Sequence, residues 1–195
     1  MTQDTRKKIL ETALKLFSQK GYLGATTKEI ASLAGIAEIT LFRYFSSKEI
    51  LFEEVINNFS FYPKLKEILN EIKDKPYKEA LVIIALEFLN LLESKKELIK
   101  IMQCEMERYP DKIQKIHDTI IYNTIQLLSS YFKTLQERGM LRKFESELGA
   151  QAFLGMFFSY FYGKEIKKIS HFREGEVKRI VEEFVDIFIN GTSQK

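Results

Sequence analysis

The sequence predicts an all-α protein, and three observations carry that reading. Apolar residues recur at spacings of three and four along most of the chain, the mark of helices with one buried face. No alternating stretch bounded by turn residues makes a convincing strand. Gly and Pro are sparse, nine and three among 195 residues, and fall mostly where helices should end. The pattern yields about nine helices: three in a small N-terminal domain over residues 1–47, and about six in a larger domain over 48–195.

From Asp4 to Lys20, Ile9, Leu10, Ala13, Leu14, Leu16 and Phe17 line one face of a first helix, which Gly21 ends. Thr26 with Glu29 reads as a capping box opening a short second helix through Ile30, Ala31 and Ala34, broken by Gly35. A third helix runs from about Ala37 to Phe45. Beyond it, breaks fall near Tyr62-Pro63, Lys75-Pro76, Ser94-Lys95, Tyr109-Pro110, Arg138-Gly139 and Ser170 to Gly175.

Composition narrows the class. Hydrophobic residues at 45% and charged residues at 29% suit a soluble helical protein. The single Cys104 excludes an intramolecular disulfide framework, and the charged N-terminus has no apolar signal region, so the cytoplasm is the expected compartment. The longest uncharged run, Leu148 to Gly163, is 16 residues, shorter than the roughly 20 that span a bilayer, and reads as a buried helix with no membrane partner. The net charge of +3 is concentrated. Residues 1–50 carry eight basic and five acidic side chains, and the remainder balances. A contact to nucleic-acid phosphates would want the excess there.

The strongest motif is Thr27 to Ser47, TKEIASLAGIAEITLFRYFSS. Ala31 is small where two helices cross, Gly35 four residues on makes a tight turn, and Leu41 six residues later packs a third helix against the others, with Ile30, Ala34 and Ile36 completing the seam. A helix-turn-helix needs this spacing, since its second helix projects outward while its inner face stays anchored. With KGY ending the first helix, Thr26-Thr27 opening the second and LFRYFSSKE following, the stretch from about Arg6 to Phe52 resembles the N-terminal domain of TetR-family regulators.

The resemblance implies a homodimer gripping double-stranded operator DNA, with the third helix in the major groove and Glu38, Ile39, Thr40, Phe42, Arg43 and Tyr44 facing it. Arg43 can offer a fork to guanine, Thr40 and Phe42 can touch a thymine methyl, and Glu38 can accept from cytosine N4. Tyr44 and Lys48 match phosphate-contacting positions of the family, and Thr26 and Thr27 lie where the second helix's N-terminus approaches the backbone. Ala37 stands where the family often has a capping Ser, Ile39 where it often has Gly, and Glu38 where a basic or neutral residue is frequent. The operator therefore cannot be borrowed from relatives.

The larger domain is less specific. The resemblance implies a small hydrophobic effector, and Phe88, Leu91, Met102, Met106, Phe132, Phe153, Phe157, Tyr160 and Phe161 are candidates to line its pocket, with Glu87, Glu105, Arg108 or Tyr160 at a polar end. Each aromatic also fits ordinary core packing. Gly155, Ser159 and Gly163 lower one helical stripe, and Val177, Val181, Phe184 and Phe188 form an apolar ridge; together they suit a two-fold four-helix interface, or packing within one chain. His117 and His171 have no second ligand at metal spacing, Glu105 and Glu107 point apart, and Cys104 reads as a buried inert thiol. No cofactor, metal or catalytic group is expected: the reading is a ligand-responsive repressor, not an enzyme, with a ligand-independent helical DNA-architectural or protein-interaction module as the alternative.

Overall fold

The computed structural model describes residues 3–169 and 177–193. His171 and the whole of the expected break from Ser170 to Gly175 lie outside the described residues. Ten α-helices follow in order: α1 (Gln3–Gly24), α2 (Thr27–Ala34), α3 (Glu38–Tyr44), α4 (Lys48–Phe59), α5 (Phe61–Glu71), α6 (Tyr77–Ser94), α7 (Lys96–Glu105), α8 (Asp111–Glu137), α9 (Ser146–Phe161) and α10 (Val177–Thr192). A 3₁₀ turn, Met106–Arg108, separates α7 from α8, and a π-helical turn, Tyr162–Ile166, extends α9. Among the described residues no strand forms, only an isolated bridge between Leu141 and Ser193, and no helix is long and apolar enough to cross a membrane.

Two compact units divide the chain. The first joins Met1–Ser60 to Lys95–Ile120, and the second joins Phe61–Ser94 to Ile121–Lys195. The boundary read at residue 47 falls at the N-cap of α4, inside the first unit, because Leu51, Phe52 and Val55 of α4 are fully buried in the same core as α1. The break read at Tyr62-Pro63 lies at Ser60, since Pro63 stands in the first turn of α5, where its missing N–H is not needed.

In the first unit, Ile9, Ala13, Leu16 and Phe17 of α1 are buried, as their spacing predicts, against α2, α4 and α7. Gly21 has φ 70° and ψ 176°, a conformation open to glycine and costly for other residues, and the chain makes one more turn to Gly24. α2 opens on the capping box expected from sequence: Thr26 Oγ1 accepts from the Glu29 N–H at 3.2 Å, and Glu29 Oε2 accepts from the Thr26 N–H at 3.3 Å. Lys20 Nζ, 2.6 Å from Glu29 Oε1, adds an exposed ion pair. That amine, followed by Thr26, holds the Glu29 carboxyl below its ordinary pKa.

In the second unit, α6 packs against α9 and α10 through Ala80, Leu81, Ile84, Ala150, Phe153 and Val185. The C-terminal end of α10 is tied down at several points: the Arg142 N–H donates to Thr192 O at 3.1 Å, Arg142 Nε to Gly191 O, and Tyr77 Oη lies 3.3 Å from Thr192 Oγ1. Within the single chain Val181 and Phe188 are buried, with the Phe188 ring against Phe132 and Phe153. A three- and four-residue spacing identifies an apolar face without saying what covers it.

Two stability predictions follow from these local geometries. Gly21→Ala is expected to cost about 1 to 3 kcal/mol in urea unfolding, chiefly from backbone strain. An added Cβ would also lie 1.9 Å from Glu105 Oε2, but that flexible carboxylate can swing away, so adding Glu105→Ala should recover little of the loss. Thr26→Ala should cost about 1 kcal/mol at neutral pH. Because Glu29 has a depressed folded pKa, its contribution is present above the ordinary carboxylate pKa and disappears as pH falls through the lower folded value. The gap between wild type and Thr26→Ala should therefore narrow in strong acid; a gap independent of pH would remove Glu29 from the cap.

Candidate nucleic-acid interface

The turn joining α2 to α3 is built by Gly35 at φ 71°, ψ 34°, the left-handed conformation that closes α2. Its N–H bonds back to Ala31 and Ser32, and the Ile36 N–H donates to Ala31 O at 3.0 Å. Ala31 and Ala34 are buried at the crossing, so the small residues serve the close approach that their spacing predicts. α3 then starts at Ala37 with no side-chain cap, as the missing hydroxyl requires.

Only Leu41 of α3 is buried, at 0% exposure, and it anchors the helix to the first unit's core. On the other side Ile39 is 68% exposed and Phe42 43% exposed, with Arg43 beside them in solvent. Spacings of three and four put these residues on one helical face. Thr40 and Tyr44 are half-buried at its margins. The face therefore presents two apolar surfaces and one guanidinium, each able to meet the edge of a base pair.

Glu38 is differently occupied from what its position alone suggests. Its Oε1 accepts from Thr27 Oγ1 at 2.6 Å, stapling the first turn of α3 to the first turn of α2. The Thr27 hydroxyl is then spent inside the protein, leaving its backbone N–H, at the start of α2, for an anion. Thr26 is likewise committed to the capping box. Lys28, exposed in the same first turn, is a cation that motif reading passed over.

Not all of the basic excess is available. Arg6 pairs with Glu54 at 2.7 Å and lies over the Phe45 ring, and Lys20 is taken up by Glu29. Lys48, in the first turn of α4, has its ammonium 4.4 Å from the centroid of the Tyr22 ring, and burial lowers its pKa against the opposing pull of Glu49. Glu49 accepts from Tyr22 Oη at 2.9 Å. Its carboxyl lies below the ordinary value through its own backbone N–H first, then Ser47 and Tyr22. Burial, reinforced by Glu49, pushes the Tyr22 phenol well above its ordinary range, so the donor keeps its proton. Tyr22, read from sequence only as part of a helix ending, sits beneath this first turn.

The residues proposed for an effector pocket divide between the two units. Met102 is buried in the core of the first unit and Met106 packs against it. In the second unit Phe88, Phe132, Phe153, Phe157, Tyr160 and Phe161 are buried and Leu91 is half-buried. Phe132, Phe153 and Phe188 touch ring to ring at 5.1 to 6.3 Å, and Phe157 stacks edge-on to Phe153 at 5.1 Å. These rings are packing partners of one another. Glu87 pairs with Lys64 at 3.7 Å, Glu105 belongs to the first unit, and Arg108 is exposed.

On α9, Gly155 and Ser159 are exposed while Gly163 is buried in the π turn; on α10, Val177 is exposed and Phe184 half-buried. Cys104 is exposed, which corrects the reading of a buried thiol: it lies two positions, about 200°, past the buried Met102. His117 is half-buried beside Asp118.

Comparison with known proteins matches this architecture. Residues 9–55 fit the family of bacterial regulatory proteins called tetR, and residues 79–191 fit the C-terminal domain of AefR-like transcriptional repressors. A relative in Bacillus subtilis, the uncharacterized HTH-type transcriptional regulator YvkB, is 34% identical over 157 residues, covering 80% of this chain and 81% of its own. A crystal structure from Mesorhizobium loti described as a TetR-family regulator superposes with a TM-score of 0.82 at 22% identity over 100% of both chains. The Bacillus subtilis regulator FadR, solved with stearoyl-CoA, gives a TM-score of 0.75 at 17% identity over 95% of this chain and 98% of that one. With one family match spanning α1 and the exposed face of α3, and a second spanning the greater part of the chain, this protein belongs to the TetR family of DNA-binding transcriptional regulators.

Proposed function

We propose that the protein is a repressor that binds a two-fold symmetric operator as a homodimer in the cytoplasm and leaves it when a small hydrophobic effector binds. The observation that carries the reading is the outward face of α3, where Ile39, Phe42 and Arg43 stand in solvent on a helix held from behind by Leu41. Arg43 would fork onto guanine, Ile39 and Phe42 would cover thymine methyls, and Thr40 would reach a neighbouring base edge. Glu38, with one oxygen held by Thr27, keeps the other to accept from cytosine N4. Tyr44, Lys48 and the backbone N–H groups at Thr26 and Thr27 would fix register on phosphates without reading sequence.

The contact with a second copy is assigned to the exposed stripe of α9, Leu148, Ala152, Gly155 and Ser159, joined by Ile187 and Val177 of α10. A Cβ at Gly155 would meet nothing within 4 Å, so the lowered stripe is free to receive another helix. An effector would enter the second unit among Phe88, Leu91, Tyr160 and Phe161; the stearoyl-CoA held by the FadR neighbour supports an apolar, elongated ligand. The chain's own work is binding, with no chemistry performed on the effector.

Selection of bound duplexes from a random pool should enrich a palindromic site, and failure of a folded dimer to enrich any sequence would overturn operator recognition. On that site Arg43→Ala should cost about 1 to 3 kcal/mol while scarcely changing affinity for random DNA. Lys48→Ala should weaken both alike and flatten the salt dependence. Equal losses for the two variants on both kinds of DNA would contradict these roles. Gly155→Glu should sediment as a folded monomer with operator affinity reduced more than about tenfold, because two half-sites then bind independently; a dimer of unchanged affinity would place the interface elsewhere.

A further inference from the structure

The phosphate contact assigned above to Lys48 depends on a long, flexible side chain, and the structure shows what holds it. The Tyr22 ring lies under the ammonium at 4.4 Å, within reach of cation–π attraction, while the Tyr22 hydroxyl donates to Glu49 Oε1 at 2.9 Å. One phenol therefore holds the two opposite charges of this helical turn at separate places. Without that hydroxyl, the Glu49 carboxylate keeps its own backbone N–H and Ser47 but loses the contact that draws it toward Tyr22, and its charge can turn toward Lys48 or the phosphate that Lys48 should meet.

Tyr22 is in turn held by residues far along the chain. Gly21 breaks the helical path at φ 70°, and the Tyr22 N–H points to Tyr109 Oη at 3.4 Å. The two rings meet edge to face at 5.8 Å, and Tyr109 Oη donates to Glu105 Oε2 at 3.1 Å. The Glu105 carboxylate rests against Gly21, in space that any side chain there would occupy. All six residues lie in the first compact unit, yet Glu105 and Tyr109 come from the α7–α8 segment, outside the N-terminal stretch that carries the proposed DNA-facing helix. Other charges near the turn are few: Lys112 also acts on Glu49.

We infer that Tyr22 is a positioning residue for the Lys48 phosphate contact, and that Tyr109 and Glu105 hold it in place, so that the position of the α7–α8 segment sets how well α4 grips DNA. The inference rests on the proposed DNA-binding role of Lys48 and adds the route by which the rest of the chain governs it.

The test measures binding of the full-length protein to a labelled random-sequence duplex of about 30 base pairs across a salt series, so no operator need be known. Lys48→Ala should reduce the salt slope by about one. Tyr22→Phe, with its ring kept, should lower affinity about three- to tenfold at moderate salt and flatten the slope, with no further loss in the Lys48→Ala background. Glu49→Gln should restore the Tyr22→Phe protein, because the competing charge is gone. Tyr109→Phe and Glu105→Gln should act in the same direction, and they carry the test if Tyr22→Phe lowers the thermal midpoint enough to spoil binding. Losses that add to Lys48→Ala, or that Glu49→Gln leaves unrepaired, would reduce Tyr22 to a packing residue and overturn the inference alone. A wild-type protein that binds no duplex even at low salt would instead remove the DNA-binding role of Lys48, and the inference with it.

Discussion

The seven residues of α3 make too few backbone hydrogen bonds to hold a helix in water, and α3 has no side-chain cap at Ala37. Its place on the surface is set by Leu41, fully buried, which gains roughly 1.5 to 3 kcal/mol from leaving water and fixes the rotation of the helix about its axis. Once Leu41 points inward, Ile39, Phe42 and Arg43 have no choice but to point out. Gly35 sets the angle at which α3 leaves α2, and the Thr27–Glu38 hydrogen bond closes the first turns of both helices on each other. The exposed side chains of α3 are therefore positioned from behind and from α2 rather than by contacts among themselves.

Charge in the first unit is similarly divided between support and display. Arg6 and Lys20 carry part of the basic excess but are bound to Glu54 and Glu29, so they contribute to the shape of the head more than to its reach. Exposed pairs of this sort add little stability each. Their effect is to hold α1 to α4 and to the start of α2, while Lys28 and Arg43 stay exposed and Lys48 lies over the Tyr22 ring. Glu38 and Glu49 lie close to that face, and both are held by a hydroxyl from another helix, Thr27 and Tyr22 respectively. Two acidic groups that would repel phosphates are thereby tethered away from free rotation.

What the sequence made legible was local. Thr26 with Glu29, and Ala31, Gly35 and Leu41, act over distances of three to six residues, where backbone geometry alone decides the outcome, and each took up the conformation its spacing predicts. The partners that lie far apart were not legible. Tyr109 meets Tyr22 across 87 residues, and nothing in either neighbourhood announces the other. Met102 and Met106 drew notice because Met is adaptable, and nothing in their spacing told that Met102 of α7 would enter the core built on α1, with Met106 of the 3₁₀ turn packed against it. Val181 and Phe188 kept the apolar spacing of an interface while facing their own core, since periodicity fixes a side of a helix and not the identity of its cover.

The second unit poses a different physical problem. Its phenylalanines touch one another across α8, α9 and α10, ring against ring at 5.1 to 6.3 Å, as in other densely packed protein interiors. Under the proposed function, an apolar effector entering there would displace rings that already satisfy each other, so its binding free energy would be reduced by the contacts it breaks, and the displaced rings would shift the helices that carry them. Coupling of about 1 to 3 kcal/mol between effector and DNA needs no more than a difference of this size between two packings. Phe132, which meets Phe153 and Phe188 ring to ring, stands on α8, one helix, Asp111–Glu137. A densely packed core would suit the reporting of such a ligand, because occupancy and rearrangement would then be the same event.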